Sequence, residues 1–257
     1  MGQSPIPAQA FAKKPSGMFA AIRCDDSGNV IASLDGVGST WYVDTVNGVA
    51  GNPGTSALPF ATMEAALEAV ASNDTILFVG TVREQLVAPL GVYGVSIIGA
   101  AGGNVRDDNG SKWTYPASGA VAGQALLALR EQGWSVSNFL MTPEPTSGAC
   151  IKLNRAEDAV NPDASHFKAS GMRFVGIDVT TTYGIQDVGG CSNIIIENCE
   201  FYLLTTGLYN SSTAIAVPLR WQVLGNRFLQ NTNDIIVPSS YGVFEGNRHM
   251  SSAATEV

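Results

Sequence analysis

The sequence predicts an all-β chain that folds as a right-handed, single-stranded parallel β-helix with an N-terminal capping α-helix and an irregular N-terminal arm. Beyond residue 125 a unit recurs in which a short Val/Ile-rich strand precedes a polar pair and an aromatic ring. Recurrence at intervals of roughly 20 to 50 residues is typical of solenoid proteins. The 28 glycines and 12 prolines supply many tight turns without a collagen-like period. One amphipathic helical stripe early in the chain predicts the cap.

The recurring rings predict an aromatic column inside the coil. Each turn of a parallel coil rises by about 4.8 Å, which places like side chains over like. We therefore predict a structural ladder that consists of Phe139, Phe174, Phe201 and Phe228. His249 takes the same position in the last unit, where it is expected to cap the column.

A second ladder is predicted from asparagines at a turn, where side-chain amides bind buried backbone groups and each other. Its expected members are Asn198, Asn226 and Asn247. Another strand recurs between the rings, with copies at 148–153, 184–188, 207–209 and 234–237. Two or three short strands in each turn then form parallel sheets that run along the coil axis.

The chain is predicted to have three parts. Residues 1–40 form the arm, which is expected to dock into a larger assembly and to include two short strands. Residues 41–250 form the β-helix, with the capping helix at about 63–71 and a Gly- and Asp-rich loop excursion at about 100–125. Residues 251–257 form a short C-terminal tail.

Composition and charge exclude several classes of partner. The net charge is −8 and the one basic run is Lys13-Lys14, so no nucleic acid is expected to bind. No apolar run approaches the roughly 18 residues of a membrane span, and no signal peptide is visible. We therefore expect no membrane contact and folding in a cytoplasm. The four cysteines form no C-x-x-C pair and are interpreted as small buried residues, with a disulfide between Cys191 and Cys199 left open.

Residues 41–99 contain a distinctive series of motifs, namely Tyr42-Val-Asp44, Gly54-Thr55, Pro59-Phe60-Ala-Thr62, Ala65-Ala66, Asn73-Asp-Thr-Ile76, Gly80-Thr81-Val82-Arg-Glu84 and Val95-Ser-Ile-Ile-Gly99. This series resembles the opening of the parallel β-helix, pectate-lyase-like superfamily, with an initial strand, a G-T-x-x-x-P-F-x-T turn, a capping helix and the first rungs. The resemblance implies the fold and leaves the activity open, because the family includes lyases, hydrolases, epimerases and phage tail and capsid proteins.

The sequence offers no convincing catalytic set. Glycoside hydrolases need two carboxylates roughly 5 to 10 Å apart, and the acidic residues of the repeat form no convincing pair of this kind. We expect no catalytic residue, no metal site and no cofactor. Glu84 is interpreted as a residue that binds a turn. Four aromatic residues are candidates for glycan or subunit contact, namely Trp113, Tyr115, Trp134 and Trp221.

The leading functional hypothesis is a bacteriophage virion structural protein, assembled in the host cytoplasm, in which an exterior homotrimeric β-helix decorates the capsid or forms a short tail spike. The trimer is implied by the resemblance, and the arm is the expected contact with other virion proteins. The alternatives are a polysaccharide-degrading tailspike depolymerase, either lyase or glycoside hydrolase, with its site between subunits, and a non-catalytic adhesin that binds a surface glycan.

Overall fold

The computed structural model describes residues 10–13, 19–24, 30–31, 38–101, 110–146, 148–153, 164–177, 182–189, 191–210, 220–237 and 242–250. The chain divides into two compact units, Met1–Gly38 and Ser39–Val257. The predicted tail at 251–257 lies outside the described residues, as does the 102–109 part of the predicted loop excursion.

The first unit contains a small antiparallel sheet. Strand β1 (Ala10–Lys13) pairs with β2 (Phe19–Cys24), and β2 pairs with β3 (Val30–Ile31). The two strands predicted in the arm are present as β2 and β3, and a third strand, β1, precedes them.

The second unit confirms the predicted right-handed parallel β-helix. The first sheet consists of eight strands, β4 (Thr40–Asp44), β5 (Thr75–Val79), β8 (Ser96–Gly99), β11 (Ser135–Ser137), β14 (Lys168–Ser170), β17 (Ile194–Glu197), β20 (Trp221–Leu224) and β23 (Val243–Glu245). The second sheet consists of seven, β6 (Thr81–Arg83), β9 (Lys112–Thr114), β12 (Leu140–Thr142), β15 (Arg173–Val175), β18 (Glu200–Tyr202), β21 (Arg227–Leu229) and β24 (Arg248–Met250).

The third sheet consists of six strands, β7 (Leu86–Val87), β10 (Leu127–Leu129), β13 (Ala149–Leu153), β16 (Tyr183–Asp187), β19 (Thr206–Asn210) and β22 (Asn233–Ile236). Every strand pair in the three sheets is parallel, since each strand pairs with the equivalent strand one turn later. Strand β9 lies inside the stretch 100–125 that was predicted to be a loop excursion, so that part of the chain contributes a rung instead.

The centre of the second sheet carries the aromatic column. Phe174 and Phe201 stack with ring centroids 4.8 Å apart, and Phe201 and Phe228 stack at 4.9 Å. His249 continues the column at 5.1 Å from Phe228, with the two rings inclined by 3°. The spacing of the rings therefore equals the distance between neighbouring strands, as stacking in register requires.

Phe139 lies outside this column, so its predicted place in the ladder is wrong. The register partner of Phe174 is Met141, and the partner of Met141 is Trp113. Phe139 follows a turn residue directly and occupies the corner between the first and second sheets. It is fully buried there and packs edge-on against Phe78, with centroids 4.9 Å apart.

The predicted asparagine ladder lies at the corner between the first and second sheets, but its membership differs from the prediction. Asn226 and Asn247 are members, because the Asn226 side-chain amide donates to the Ile196 carbonyl and that of Asn247 donates to the Val223 carbonyl, at 2.9 and 2.8 Å. Asn198 is not a member, since it lies one residue earlier, at the left-handed position, with φ of 53°. Other rungs have Asn138, Gly171, Gly225 and Gly246 there, all with positive φ.

Helix α1 (Met63–Ala69) is two residues shorter at its C-terminus than predicted. The Thr62 hydroxyl accepts a hydrogen bond from the amide of Ala65, as an N-cap does. Glu84 reaches the same helix end from the second turn of the coil and accepts hydrogen bonds from the amides of Met63 and Glu64 at 3.1 and 2.8 Å. Burial raises the pKa of Glu84, although these amides favour its charged form.

Glycines in the third sheet make room for the column. A Cβ on Gly184 would lie 2.7 Å from the Phe201 ring, and one on Gly207 would lie 3.0 Å from the Phe228 ring. In the last rung this pairing changes from glycine and phenylalanine to Asp234 and His249. The Asp234 carboxylate, which is 1% exposed, lies 2.8 Å from Nδ1 of His249.

This change of pairing predicts energetic coupling between Asp234 and His249. The variant His249→Phe places a ring without a polar partner beside the buried carboxylate, and Asp234→Gly removes the partner of the imidazole. The double variant restores the pairing of the preceding rungs. We expect the double variant to lose less unfolding free energy than the two single variants lose together, by about 1 kcal/mol or more. Urea unfolding of the three variants measures this difference.

A matched control combines Asp234→Gly with His166→Phe, because His166 is the other histidine of the chain and is exposed. The effects of that combination should be additive. Additive effects of Asp234→Gly and His249→Phe would contradict the pairing.

Candidate functional site

A row of long side chains crosses the outer face of the third sheet. Strand register aligns Ala128, Lys152, Gln186, Tyr209 and Ile236 in successive rungs. The last four are half-buried, whereas the central residues of the same strands are buried and point into the coil. The row therefore presents an ammonium, an amide and a phenol on one surface.

Tyr209 of the row stacks on Tyr183, which lies on the neighbouring strand outside the row. The rings of Tyr183 and Tyr209 lie 4.9 Å apart and are inclined by 29°. Both are half-buried, so part of each remains in contact with solvent. Burial raises the pKa of Tyr183, and the neighbouring Tyr209 raises it further. The Tyr183 phenol therefore stays neutral around neutral pH and can donate a hydrogen bond.

A groove of about 250 Å³ adjoins the N-terminal end of the row. Lys152 and Ala128 belong to both the row and the groove, and residues 121–125 form one wall. Gln85 holds this wall, since its amide donates to the Val121 carbonyl at 3.0 Å and accepts from the Val121 amide at 2.7 Å. We name the row, Tyr183 and the groove together the tyrosine face.

The tyrosine face is not among the sites predicted from the sequence. The prediction includes the recurring second strand but not the register of its copies. Alignment on the buried residues Ile151, Ile185, Leu208 and Ile235 would have placed the next residue of each copy on the outer face. That outward position is the signal that the sequence contained.

The predicted aromatic contact residues lie mostly in the core. Trp113, Trp134 and Trp221 are each 0% exposed, so the prediction that they contact a glycan or another subunit is wrong. The indole N–H of Trp113 donates to the Glu84 carbonyl, and that of Trp134 donates to the Val92 carbonyl, at 2.8 and 2.9 Å. Tyr115 is half-buried and packs against the same core.

The buried carboxylates of the described residues bind backbone amides and neighbouring side chains. Asp74 accepts from the indole of Trp41 at 2.7 Å and from the amide of Ala71 at 2.8 Å. Asp187 accepts from the amide of Cys191 and from the side chain of Asn210, both at 2.9 Å. These contacts close turns of the coil, so both carboxylates stabilise the fold.

Three other features of the described residues bear on function. Cys150, Cys191 and Cys199 are buried, reduced thiols, so the disulfide left open above is not formed. Burial raises the pKa of Cys199 to about 12. No cluster of three or more metal-binding side chains occurs among the described residues. The described part of the chain contains no helix of the length and hydrophobicity that spanning a membrane requires.

Comparison with known proteins rests on structure alone. No protein-family model matches the chain, and no curated protein matches it. A rhamnogalacturonan lyase superposes with a TM-score of 0.58 and 17% identity over 82% of this chain. The chain covers 56% of that lyase, and so spans little more than half of its length.

Two further solved structures are less similar. A pectin methylesterase from Aspergillus niger has a TM-score of 0.42 and 12% identity, with 92% of each chain covered. A tailspike protein of an E. coli bacteriophage, solved with a pentasaccharide, has a TM-score of 0.29 and 12% identity, with 95% of this chain and 59% of the tailspike covered.

The three parallel sheets and the likeness to the lyase define the class of protein. The chain is a parallel β-helix protein, as the sequence resemblance implied, and it shares this fold with the rhamnogalacturonan lyase. At this level of identity the likeness shows the fold, and the chemistry of the chain has to be argued from its own residues.

Proposed function

We propose that this chain is a non-catalytic, glycan-binding β-helix of the tail-spike kind, carried on the exterior of a bacteriophage particle. The observation that carries the proposal is the tyrosine face. Stacked, half-buried tyrosines beside amide and ammonium groups match the surface of a sugar, which has apolar ring faces and a rim of hydroxyl groups.

The dimensions of the tyrosine face favour an extended ligand. Successive members of the row lie one strand apart, at about 4.8 Å, and the groove extends the row at one end. Gln186 lies on the same strand as Tyr183, and Lys152 lies on the neighbouring strand, at the groove. Both side chains can donate to hydroxyl or carboxylate oxygens. A chain of several sugar residues could contact the tyrosines and the groove at once.

A non-catalytic role is supported by the hydrogen bonds and ion pairs that carboxylates of the coil form with other side chains. Asp187 and Asn210 lie on the third sheet, next to the tyrosine face, yet their side chains bind each other inside the coil. Glu200 and Glu197 are engaged in ion pairs on the other two sheets. The tyrosine face itself is lined by neutral and basic side chains.

The predicted test of glycan binding compares Tyr209→Ala with wild type on a glycan array. Tyr93→Ala is the matched control, because Tyr93 is an exposed tyrosine in a turn away from the row. Loss of the Tyr209 ring should weaken binding of any bound glycan at least tenfold, and the control should bind like wild type. Equal binding by both variants would contradict the tyrosine face as the site.

Incubation of wild type with the bound polysaccharide checks the non-catalytic role. New reducing ends or unsaturated products that accumulate with time would establish the depolymerase alternative instead.

Placement on a virion is supported by the division of the chain into two units. A separate N-terminal unit with its own small sheet suits a docking segment that joins the coil to a larger particle. Deletion of residues 1–38 should leave the coil folded, as judged by circular dichroism, and should abolish attachment to particles. Attachment of the truncated chain would contradict the docking role.

A further inference from the structure

We infer that copies of this chain associate face to face, with the outer face of the second sheet of one copy against the outer face of the first sheet of the next. Both faces lie in the C-terminal half of the coil. Each exposes apolar side chains, and the two differ in charge.

The cationic face is the outward side of strands β15, β18, β21 and β24. Its outward positions align in two rows, one with Arg173, Arg227 and Arg248 and the other with Tyr202, Leu229 and Met250. Met250 is 66% exposed. Tyrosine, methionine and arginine are the side chains that protein interfaces favour over the rest of the surface.

Among the described residues, the arginines of the cationic face outnumber the carboxylates that bind them. Glu200 is the single acidic member of the charged row, and its two oxygens bind Arg173 at 2.7 Å and Arg227 at 3.0 Å. Arg248 is the direct register partner of Arg227, and it forms no ion pair with any described residue. Like charges directly opposite on neighbouring strands are destabilising, so a carboxylate from outside the chain would stabilise this pair.

The acidic face is the outward side of strands β17, β20 and β23. Glu197 and Glu245 align in one row with Leu224 between them, and Val243 belongs to the neighbouring row. Lys168 neutralises Glu197 at 2.7 Å, whereas Glu245 is exposed in the last rung. Val243 is 52% exposed. The acidic face therefore offers a carboxylate beside apolar side chains. That carboxylate can pair with Arg248 of the cationic face.

The position of the two faces favours a second copy as the partner. Gly246 and Asn247 alone separate Glu245 of the acidic face from Arg248 of the cationic face, so the faces adjoin at one corner of the coil. Both complementary surfaces recur on every copy. Contact between two different faces is heterologous, and such contacts produce closed rings or filaments rather than symmetric dimers.

The experiment measures mass by sedimentation velocity at micromolar concentration. Wild type should sediment at three or more times its 26.9 kDa chain mass. A monomer or a discrete dimer of wild type would overturn the inference. The measurement uses no glycan, so it succeeds or fails independently of glycan binding.

Two variants then separate the faces. Arg248→Gln with Met250→Gln disables the cationic face, and Glu245→Arg with Val243→Arg disables the acidic face. The two altered faces carry no opposite charges that could restore contact between them. Each variant alone should be monomeric, and a mixture should form a one-to-one pair that grows no further, because one intact interface remains between them. Leu90→Glu, an exposed apolar residue outside both faces, should assemble like wild type. Assembly by either disabled variant alone, or no pairing in the mixture, would overturn the inference.

Discussion

The parallel register of the strands is the constraint on which the rest of the structure depends. Each rung lies directly over the last, so every side chain has a fixed neighbour above and below. Inside the coil this produces the column from Phe174 to His249. It also limits the residues around the column, because a ring at each level leaves no space for a Cβ on Gly184 or Gly207. Core composition and register therefore determine each other.

The same register organises the outer surface. Outward side chains align in rows just as inward ones do. Where several residues of a row have similar chemistry, they form one continuous surface of that chemistry. The third sheet carries stacked tyrosines with an amide and an ammonium, the second sheet carries arginines beside apolar residues, and the first sheet carries glutamates. One scaffold thus presents the surface that we propose binds sugars and the two surfaces that we infer bind other copies. The buried carboxylates Asp74 and Asp187 close turns of the coil.

The sequence predicted the fold because the repeat records the period of the coil, and it failed where the offset within the repeat mattered. Phe139 and Asn198 are of the right residue type, but each is displaced by a residue or more from the position assigned to it. A count back from each column residue would have shown Asn or Gly three positions earlier, at the left-handed corner. The tryptophans were misplaced because residue type alone does not distinguish an inward position from an outward one, and the tyrosine face was missed for the same reason.

Stacking in the column is tested most directly by comparing Phe201→Ala with Phe167→Ala in urea unfolding. Both phenylalanines are 0% exposed, but Phe201 stacks on a ring on each side, and Phe167 makes no ring contact in the described structure. Each stacked pair contributes about 0.5 to 1.5 kcal/mol beyond burial, so Phe201→Ala should cost about 1 to 3 kcal/mol more than Phe167→Ala. Equal losses of stability would contradict a column that holds the coil in register.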